Sequence, residues 1–456
     1  MAAILAEVLR RTRRVADQVS KLEPEEPPIP SPSVVAKTFA ELGTRLMADP
    51  AKFVQQQLEL CQQYATLWES AQRRLAGEAV EALVAPARDD RRFKDPAWSE
   101  EPVFDILKQA YLLTAKWVDG TIRGVDGLDP AMRRKALFYS RQMIDAMAPT
   151  NFAMTNPEVL RATFASQGEN LVRGLGNYLD DLERGKGHLD IRTTDDKPFV
   201  LGETIVTTPG KVVHQSELMQ LIQYDPQTPQ VHRTPLVIVP PWINKYYILD
   251  LRPKNSLIRW LVQQGFTVFV VSWANPGAAL AHKDFGDYME EGPLAALAAA
   301  KAATGAERVH MTGYCIGGTL QGCALATLAR NRPSDRSVAS ATFFTAMLDF
   351  SDPGDLAVFI DEDQLAELDQ NMAAKGYLDG RAMSKVFSML RDNDLIWSFV
   401  VNNYLLGKDP LPFDLLYWNA DSTRMPAMMH SFYLRSMYLE NKLRVPDAVT
   451  LKGTPI

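Results

Sequence analysis

The stretch Arg308-Val-His-Met-Thr-Gly-Tyr-Cys-Ile-Gly-Gly318 decides the fold of this chain. Its apolar first half predicts a short β-strand that stops at Gly313, and Thr319–Arg330 predicts a helix directly afterwards. The spacing Gly313-x-Cys315-x-Gly317 is that of a nucleophile elbow with cysteine in the place of serine. A Gly-rich turn around a buried structural cysteine is the alternative, but the strand before and the helix after favour the elbow.

The elbow predicts a role for each of its residues. Cys315 takes the strained turn position, and a Cβ on either flanking glycine would clash with the helix or the adjacent strand. The backbone N–H of Ile316 is expected to point at the place where an oxyanion forms. We also expect the helix N-terminus beneath Cys315 to favour its thiolate form.

Composition bounds the possible classes of function. The 456 residues suffice for two or three domains, and a net charge of -6 argues against a general nucleic-acid binder. The three cysteines, at 61, 315 and 323, form neither a disulfide framework nor a zinc spacing, so we expect a cytoplasmic protein without metal or cofactor. Met1–Val19 lacks the apolar region of a signal peptide, and no apolar run reaches the roughly 18 residues of a transmembrane segment.

The N-terminal part of the chain is predicted to be helical. Residues 1–33 predict a basic amphipathic helix and a Pro-rich linker, Glu23–Ser33, and the helix either docks on the protein or anchors it to a hydrophobic surface. Residues 34–195 predict a helical domain, in which Asp49 and Asp129 cap helices that begin with proline. The predicted helices are Val34–Ala48, Pro50–Arg74, Val103–Val118, Pro130–Met147 and Asn156–Lys186.

Residues 196–350 change to a pattern of strands and helices. The predicted strands are Phe199–Thr208, Lys211–Tyr224, Pro235–Pro240, Thr267–Trp273, Arg308–Gly313 and Ser340–Phe350. The turn dipeptide Pro209-Gly210 predicts a hairpin from the first two, and the later strands alternate with helices. This order predicts an α/β fold with a mostly parallel sheet, and an elbow on the fifth strand is typical of the α/β-hydrolase fold.

The loop after the third strand, Val239-Pro-Pro-Trp-Ile-Asn-Lys-Tyr-Tyr-Ile-Leu-Asp250, is where such a fold supplies the second oxyanion donor. Its two prolines have no N–H, so Trp242 and Ile243 are the candidates, and we assign the donor to Ile243. Asp250 either supports the site by orienting this loop or serves as a cap or an ion-pair partner.

Residues 351–444 predict a cap inserted after the sixth strand, and residues 445–456 predict the start of the C-terminal part of the core. The cap begins acidic and then becomes rich in aromatic residues. These aromatic side chains line an acyl tunnel, form a dimer face or make up the cap's own core. They are Trp397, Phe399, Tyr404, Phe413, Tyr417, Trp418, Phe432, Tyr433 and Tyr438.

Eight longer motifs carry a family resemblance. They are Asp90–Trp98, Lys108–Leu112, Asn151–Pro157, Pro241–Leu251, Val271–Pro276, Gly313–Thr319, Arg391–Trp397 and Pro412–Asn419. With these motifs the chain resembles polyhydroxyalkanoate synthases of the class I, short-chain type. The resemblance implies an acyltransferase in which Cys315 takes an (R)-3-hydroxyacyl group, such as 3-hydroxybutyryl, from its CoA thioester. The 3-hydroxyl of a bound chain end then attacks the next thioester, so that a polyester grows and CoA leaves. It also implies a homodimer associated with polyester granules in the cytoplasm.

The resemblance further implies a histidine base assisted by an aspartate, after the seventh and eighth strands. The sequence ends at Ile456 before either position, and none of its own histidines stands where the fold places the base. These are His188, His214, His232, His282, His310 and His430. We therefore expect a C-terminally shortened member, inactive alone or completed by another chain, with an exposed sheet edge. A thioesterase or esterase of the same fold and a non-catalytic granule-binding protein are the alternatives.

Overall fold

The computed structural model describes residues 2–20 and 30–456, so most of the predicted linker Glu23–Ser33 lies outside the described residues. By compactness the chain divides into two units. The first comprises Met1–Thr193 and Phe387–Leu411, and the second comprises Thr194–Val386 and Pro412–Ile456. This division assigns residues 387–411 of the predicted cap to the first unit, and the domain boundaries proposed from the sequence remain predictions.

The first unit is helical, as predicted. Its helices are α1 (Ala2–Val19), α2 (Pro32–Ala48), α3 (Pro50–Leu75), α4 (Ala97–Glu100), α5 (Pro102–Arg123), α6 (Pro130–Ala146), α7 (Pro157–Ala165) and α8 (Glu169–Arg184). The predicted caps are confirmed, because the Asp49 side chain accepts the Lys52 N–H and that of Asp129 accepts the Ala131 and Met132 N–H groups. The single helix expected over 156–186 is wrong. Gln167 and Gly168 have φ angles of 52° and 87°, which end α7 and start α8.

Helix α1 docks within its own unit, on α8. Arg11 forms ion pairs with Asp180 and Glu183 of α8, and Val15 is buried. The amphipathic pattern of this helix is thus partly accounted for by packing. Of the two interpretations drawn from the sequence, the docking helix is the one that these contacts favour.

The second unit contains a six-stranded sheet in the order β1-β2-β4-β3-β5-β6. The strands are β1 (Gly210–Gln215), β2 (Met219–Tyr224), β3 (Leu236–Val239), β4 (Val268–Trp273), β5 (Val309–Tyr314) and β6 (Val338–Phe344). Strands β3 to β6 pair in parallel, whereas β2 is antiparallel to both β1 and β4. This is the strand order of the predicted α/β-hydrolase fold. Strand β6 forms an outer edge, and Phe343 and Phe344 on it are exposed.

The predicted first strand, Phe199–Thr208, is wrong. Gly202 and Val206 have positive φ angles and the segment makes only an isolated bridge between Leu201 and Ile205. The hairpin instead occupies Gly210–Tyr224, almost entirely the predicted second strand, as β1 and β2. Its turn is closed by Ser216, whose hydroxyl accepts the N–H groups of Leu218 and Met219. Such a side-chain turn carries no Gly or Pro signal in the sequence.

Helices cover both faces of the sheet because its central strands are apolar on both sides. They are α9 (Leu257–Gln263), α10 (Phe285–Met289), α11 (Ala295–Thr304) and α12 (Ile316–Asn331). Val237, Phe269 and Leu320 belong to one buried cluster, while Ile238, Val270 and Ile258 belong to another. Alternate residues of β3 and β4 therefore serve opposite layers of the core.

The chain after β6 forms short helices and two small two-stranded sheets. They are α13 (Glu362–Lys375), β7 (Tyr377–Leu378), α14 (Gly380–Leu390), α15 (Asp414–Ala420), β8 (Met425–Pro426), α16 (Ala427–Phe432), β9 (Thr450–Leu451) and β10 (Thr454–Pro455). A π-helical turn, Tyr433–Leu439, follows α16. Among the described residues, no helix combines the length and apolar character needed to cross a membrane.

Candidate active site

Cys315 occupies a strained turn between β5 and α12. Its φ and ψ are 55° and -129°, a conformation that costs a non-glycine residue on the order of 1–3 kcal/mol. Two hydrogen bonds hold the turn. The Cys315 N–H donates to the Phe344 carbonyl and the Gly318 N–H donates to the Cys315 carbonyl, each at 2.9 Å. The predicted elbow geometry is confirmed.

Three glycines permit this turn. A Cβ added to Gly313 would overlap Gly318, and one added to Gly318 would overlap Ala346. A Cβ on Gly317 would overlap the Val239 carbonyl oxygen and lie 2.8 Å from the carbonyl oxygen of Pro240. The helix that follows Cys315 therefore presses directly on the end of β3. The sequence predicted that Gly313 and Gly317 have no room for a side chain, and the structure shows the same for Gly318.

The thiol of Cys315 is half-buried. Burial raises its pKa, while the neighbouring Ile316 N–H acts in the opposite direction. The Ile316 amide at the start of α12 thus acts in the expected direction, favouring the thiolate, and burial opposes it. The amide is in place, but loss of hydration disfavours the charged form by more than this amide compensates. A partner that removes the proton is thus needed for rapid attack.

The loop after β3 is anchored beside the elbow by contacts to its carbonyl groups. Trp273 donates its indole N–H to the Pro240 carbonyl at 2.8 Å, and the Thr423 N–H donates to the Ile243 carbonyl at 2.9 Å. The Thr423 hydroxyl also donates to the Trp242 carbonyl. Within the part of the chain that the structure describes, the N–H groups of Trp242 and Ile243 donate to no other protein group. Both remain available as oxyanion donors, and the choice of Ile243 stays a prediction.

Asp250 ends this loop in a buried polar cluster. Its carboxylate accepts the hydroxyl of Thr208 at 2.6 Å and that of Ser256 at 2.5 Å, and it also accepts the Thr208 N–H at 3.3 Å. Ser256 in turn caps α9 by accepting the Arg259 N–H. These contacts occupy the carboxylate with structural donors, and they favour a role in orienting the end of the loop. Within the described part of the chain, Asp250 forms no ion pair.

Two tyrosines of the cap lie near the elbow. In the sequence, nothing separated them from the other aromatic residues of the cap. Tyr433 and Tyr438 pack in the same apolar cluster as Ile316, with ring centroids 5.3 Å apart. Burial raises the pKa of both phenols, and the nearby Cys315 contributes in the same direction. No sequence signal could have distinguished them from the other aromatic residues, because the π-helical turn that brings them together has no recognisable pattern.

The structure defines the surroundings of three of the histidines. The His310 ring nitrogen Nδ1 forms a hydrogen bond with Ser340 Oγ at 2.7 Å, and His232 contacts the Gln264 carbonyl at 3.1 Å. His430 is buried with neither ring nitrogen in a hydrogen bond, and burial lowers its pKa to about 4. Among the described residues, no histidine forms a hydrogen bond with Cys315.

Comparisons with known proteins assign a family to this site. A family model described as "Poly-beta-hydroxybutyrate polymerase (PhaC) N-terminus" matches residues 89–261, and one described as "alpha/beta hydrolase fold" matches residues 234–438. The chain is 47% identical to the poly(3-hydroxyalkanoate) polymerase subunit PhaC of Rhizobium meliloti, over 91% of this chain and 68% of that protein. It is 49% identical to the poly(3-hydroxyalkanoate) polymerase of Methylorubrum extorquens, over 90% and 67%.

A third relative is the poly(3-hydroxyalkanoate) polymerase subunit PhaC of Cupriavidus necator. It is 40% identical over 89% of this chain and 68% of its own length. The matches span both units and include the elbow, the loop after β3 and the residues that surround the thiol. The chain therefore belongs to the poly(3-hydroxyalkanoate) polymerase family, with an α/β-hydrolase core.

Proposed function

We propose that this protein is an acyltransferase that polymerises (R)-3-hydroxyacyl groups, taken from their CoA thioesters, through a covalent acyl-Cys315 intermediate. The observation that carries the proposal is the strained elbow, which presents a half-buried thiol at the N-terminus of α12. The names of the relatives support the polymer product. The CoA thioester is the substrate, so the reaction needs no cofactor.

In the first step the Cys315 sulfur, after losing its proton, attacks the thioester carbonyl carbon. The negative charge that develops on the carbonyl oxygen is stabilised by the N–H groups of Ile316 and Ile243. The bond to the CoA sulfur then breaks, and CoA leaves as a thiol by taking up a proton. One thioester replaces another, so the step costs little free energy and leaves the acyl group reactive.

In the second step a hydroxyl group attacks a thioester. The 3-hydroxyl at the end of a growing chain loses its proton to a general base as its oxygen bonds to the next acyl carbon. A thiolate leaves and the polyester is one unit longer. The family resemblance assigns this base to a histidine assisted by an aspartate. Because no described histidine contacts Cys315, the two steps are best tested separately.

The substrate and setting follow from the same resemblance. We expect 3-hydroxybutyryl-CoA to be the preferred substrate, and we expect the protein to pair with a second copy and act at the surface of polyester granules in the cytoplasm. Sizing of the purified protein and its co-sedimentation with isolated granules would test these two expectations.

The decisive experiment measures three products in one preparation. Purified protein is mixed with 3-hydroxybutyryl-CoA, and the acylated protein, the released CoA and the polymer are quantified by intact mass, a thiol reagent and chromatography. We expect a hydroxybutyryl adduct on Cys315 with one equivalent of CoA, and polymer in addition where a general base for the second step is present. Cys315→Ala should lose the adduct, whereas Cys61→Ala, at an exposed cysteine, should keep it.

The alternatives give different outcomes. CoA release above one equivalent with free hydroxybutyrate and no polymer would identify a thioesterase. Granule binding without any adduct would identify a non-catalytic granule protein. An adduct without polymer would support the acylation step and contradict polymerisation by this chain alone.

A further inference from the structure

The π-helical turn Tyr433–Leu439 places two phenol groups side by side. Residues five positions apart on a regular α-helix point about 140° away from each other. The wider turn of a π-helix brings them next to one another, and such turns are frequent at functional sites. The rings of Tyr433 and Tyr438 accordingly meet edge to face, with centroids 5.3 Å apart and planes at 86°.

Apolar contacts fix both rings. Tyr433 stacks on Phe285 with centroids 5.8 Å apart and planes at 5°, and it meets the edge of Phe350 at 6.1 Å. Tyr438 packs on the same Phe350 at 4.8 Å. Rings held on several sides cannot swing away, so their hydroxyl groups stay in a defined position.

The two rings lie beside the elbow. Tyr433 and Tyr438 pack in the apolar cluster that contains Ile316 and Leu320, which follow Cys315 on α12, and Tyr433 neighbours Thr319 of the same helix. The Thr319 hydroxyl donates its hydrogen to the Met347 carbonyl at 2.8 Å, and the hydroxyl of Tyr433 lies within hydrogen-bonding reach of that of Tyr438. Tyr433 is thus buried between Thr319 and Tyr438, whereas Tyr438 is the more exposed of the two phenols.

Both phenol hydroxyls act as neutral hydrogen-bonding groups. Burial raises the pKa of Tyr438 to about 12 and that of Tyr433 further, so both remain protonated at neutral pH and are poor general bases. A neutral hydroxyl among apolar side chains is suited to recognise another neutral hydroxyl. On an acyl group bound to Cys315, the 3-hydroxyl is only two carbon atoms from the thioester carbonyl.

We propose that the Tyr438 hydroxyl, positioned by Tyr433 on the π-helical turn, binds the 3-hydroxyl group of the acyl chain on Cys315 and so selects 3-hydroxyacyl over unsubstituted acyl thioesters. The proposal rests on the proposed function, because it assumes acylation of Cys315. A site that hydrogen-bonds a substrate hydroxyl disfavours the analogue that lacks it, since its own polar group is then left unpaired.

The test removes the hydroxyl group either from the substrate or from Tyr438. Rates of Cys315 acylation are measured by intact mass with 3-hydroxybutyryl-CoA and with butyryl-CoA, for the unaltered protein and for Tyr438→Phe. We expect the preference for the hydroxylated thioester to fall about tenfold in Tyr438→Phe, mainly through slower reaction of 3-hydroxybutyryl-CoA. Tyr433→Phe should reduce the preference less, because it acts through the position of Tyr438. Tyr417→Phe, in the same unit and packed on Phe199, should leave it unchanged.

Two results would overturn the inference. If Tyr438→Phe slows both thioesters equally, or neither, the hydroxyl does not recognise the substrate. If the unaltered protein shows no preference for the hydroxylated thioester, there is no selection to explain. Failure of both thioesters to acylate the unaltered protein would instead overturn the proposed function itself. If Tyr438→Phe does not fold, the substrate preference of the unaltered protein and of Tyr433→Phe still decides the question.

Discussion

Gly317 of the elbow lies against the carbonyl of Val239, at the end of the strand that precedes the oxyanion loop. No side chain fits between them. The distance between the thiol-bearing turn and the loop that carries Trp242 and Ile243 is therefore set by backbone contact. Such a contact cannot relax by a change of rotamer, so the relative position of the two oxyanion donors depends on this glycine.

Gly317→Ala should prevent stable folding of the second unit or lower its free energy of unfolding by at least about 3 kcal/mol, because the new methyl group would overlap backbone atoms. Gly277→Ala is the matched control. An added Cβ there meets nothing within 4 Å, so the change should stay within about 1 kcal/mol. Urea unfolding followed by tryptophan fluorescence measures both. Equal stability of the two variants would contradict the close packing of the elbow on β3.

Thr423→Val should loosen the oxyanion loop. The substitution preserves shape but leaves the buried Trp242 carbonyl without the Thr423 hydroxyl, at a cost of about 1–2 kcal/mol. We also expect slower acylation of Cys315 by 3-hydroxybutyryl-CoA. Thr327→Val on α12 is the control, because its hydroxyl donates to the sulfur of Met289, a weak acceptor. If both variants acylate at the rate of the unaltered protein, the loop does not depend on Thr423.

Asp250→Ala should cost about 2–4 kcal/mol, because the Thr208 and Ser256 hydroxyls and the Thr208 N–H lose their acceptor. Thr208→Val removes only part of this cluster and should cost less. The distinguishing measurement is the acylation rate per folded molecule under conditions where the variants are folded. That rate should stay within about twofold if Asp250 acts through the loop's position. A loss of a hundredfold or more would instead indicate direct participation in the chemistry.

The reactivity of Cys315 toward iodoacetamide should rise with pH and continue to rise above pH 9, because burial raises the pKa of its thiol and the thiolate is the reacting form. Cys323, fully buried with its pKa raised by burial to about 12, should react only after unfolding. Exposed Cys61 serves as the reference for unhindered access. Peptide mass spectrometry quantifies each site. Rapid labelling of Cys315 at pH 7 without pH dependence would show that another group holds it as a thiolate.

Asp392 of the first unit should make the protein less stable as pH rises from about 4 to about 6. Burial, followed by the nearby Asp145, raises its pKa to about 6. In this range the folded state therefore binds more protons than the unfolded state, so raising the pH favours unfolding until the carboxyl is ionised. Its Oδ2 atom is buried without a hydrogen-bond partner among the described residues.

Asp392→Asn should remove this penalty and raise stability above pH 6 by roughly 1 kcal/mol, with little change below pH 4. Asp394→Asn, at an exposed carboxylate on the same segment, is the control and should be nearly neutral. Urea unfolding at pH 4 and pH 7.5 compares the two variants. A stability gain for Asp392→Asn that is the same at both pH values would rule out the titration of this group as its cause.

Local patterns in the sequence were sufficient for the framework of this protein. The apolar strand, the spacing of Gly313, Cys315 and Gly317, and the helix after them predicted the elbow, because strands, turns and helices are determined by residues a few positions apart. The prolines after Asp49 and Asp129 predicted helix starts for the same reason. The sequence was misleading about the hairpin. Pro209-Gly210 predicted its turn, but the turn lies at Ser216 and is made by side-chain hydrogen bonds without a Gly or Pro signal.

Only the tertiary structure decided how the thiol is surrounded. Thr423, 181 positions away in sequence, bonds the loop at Trp242. Tyr433 and Tyr438 come from the C-terminal part of the predicted cap, more than 100 positions after Cys315. The pKa direction at Cys315 is likewise set by how much water these distant residues exclude, which outweighs the local effect of the adjacent helix amide. The sequence by itself determined that a cysteine elbow forms on an α/β sheet. Residues remote in sequence decided which groups the thiol faces and how far it is buried, which raises its pKa, because desolvation and close packing depend on contacts that local periodicity does not encode.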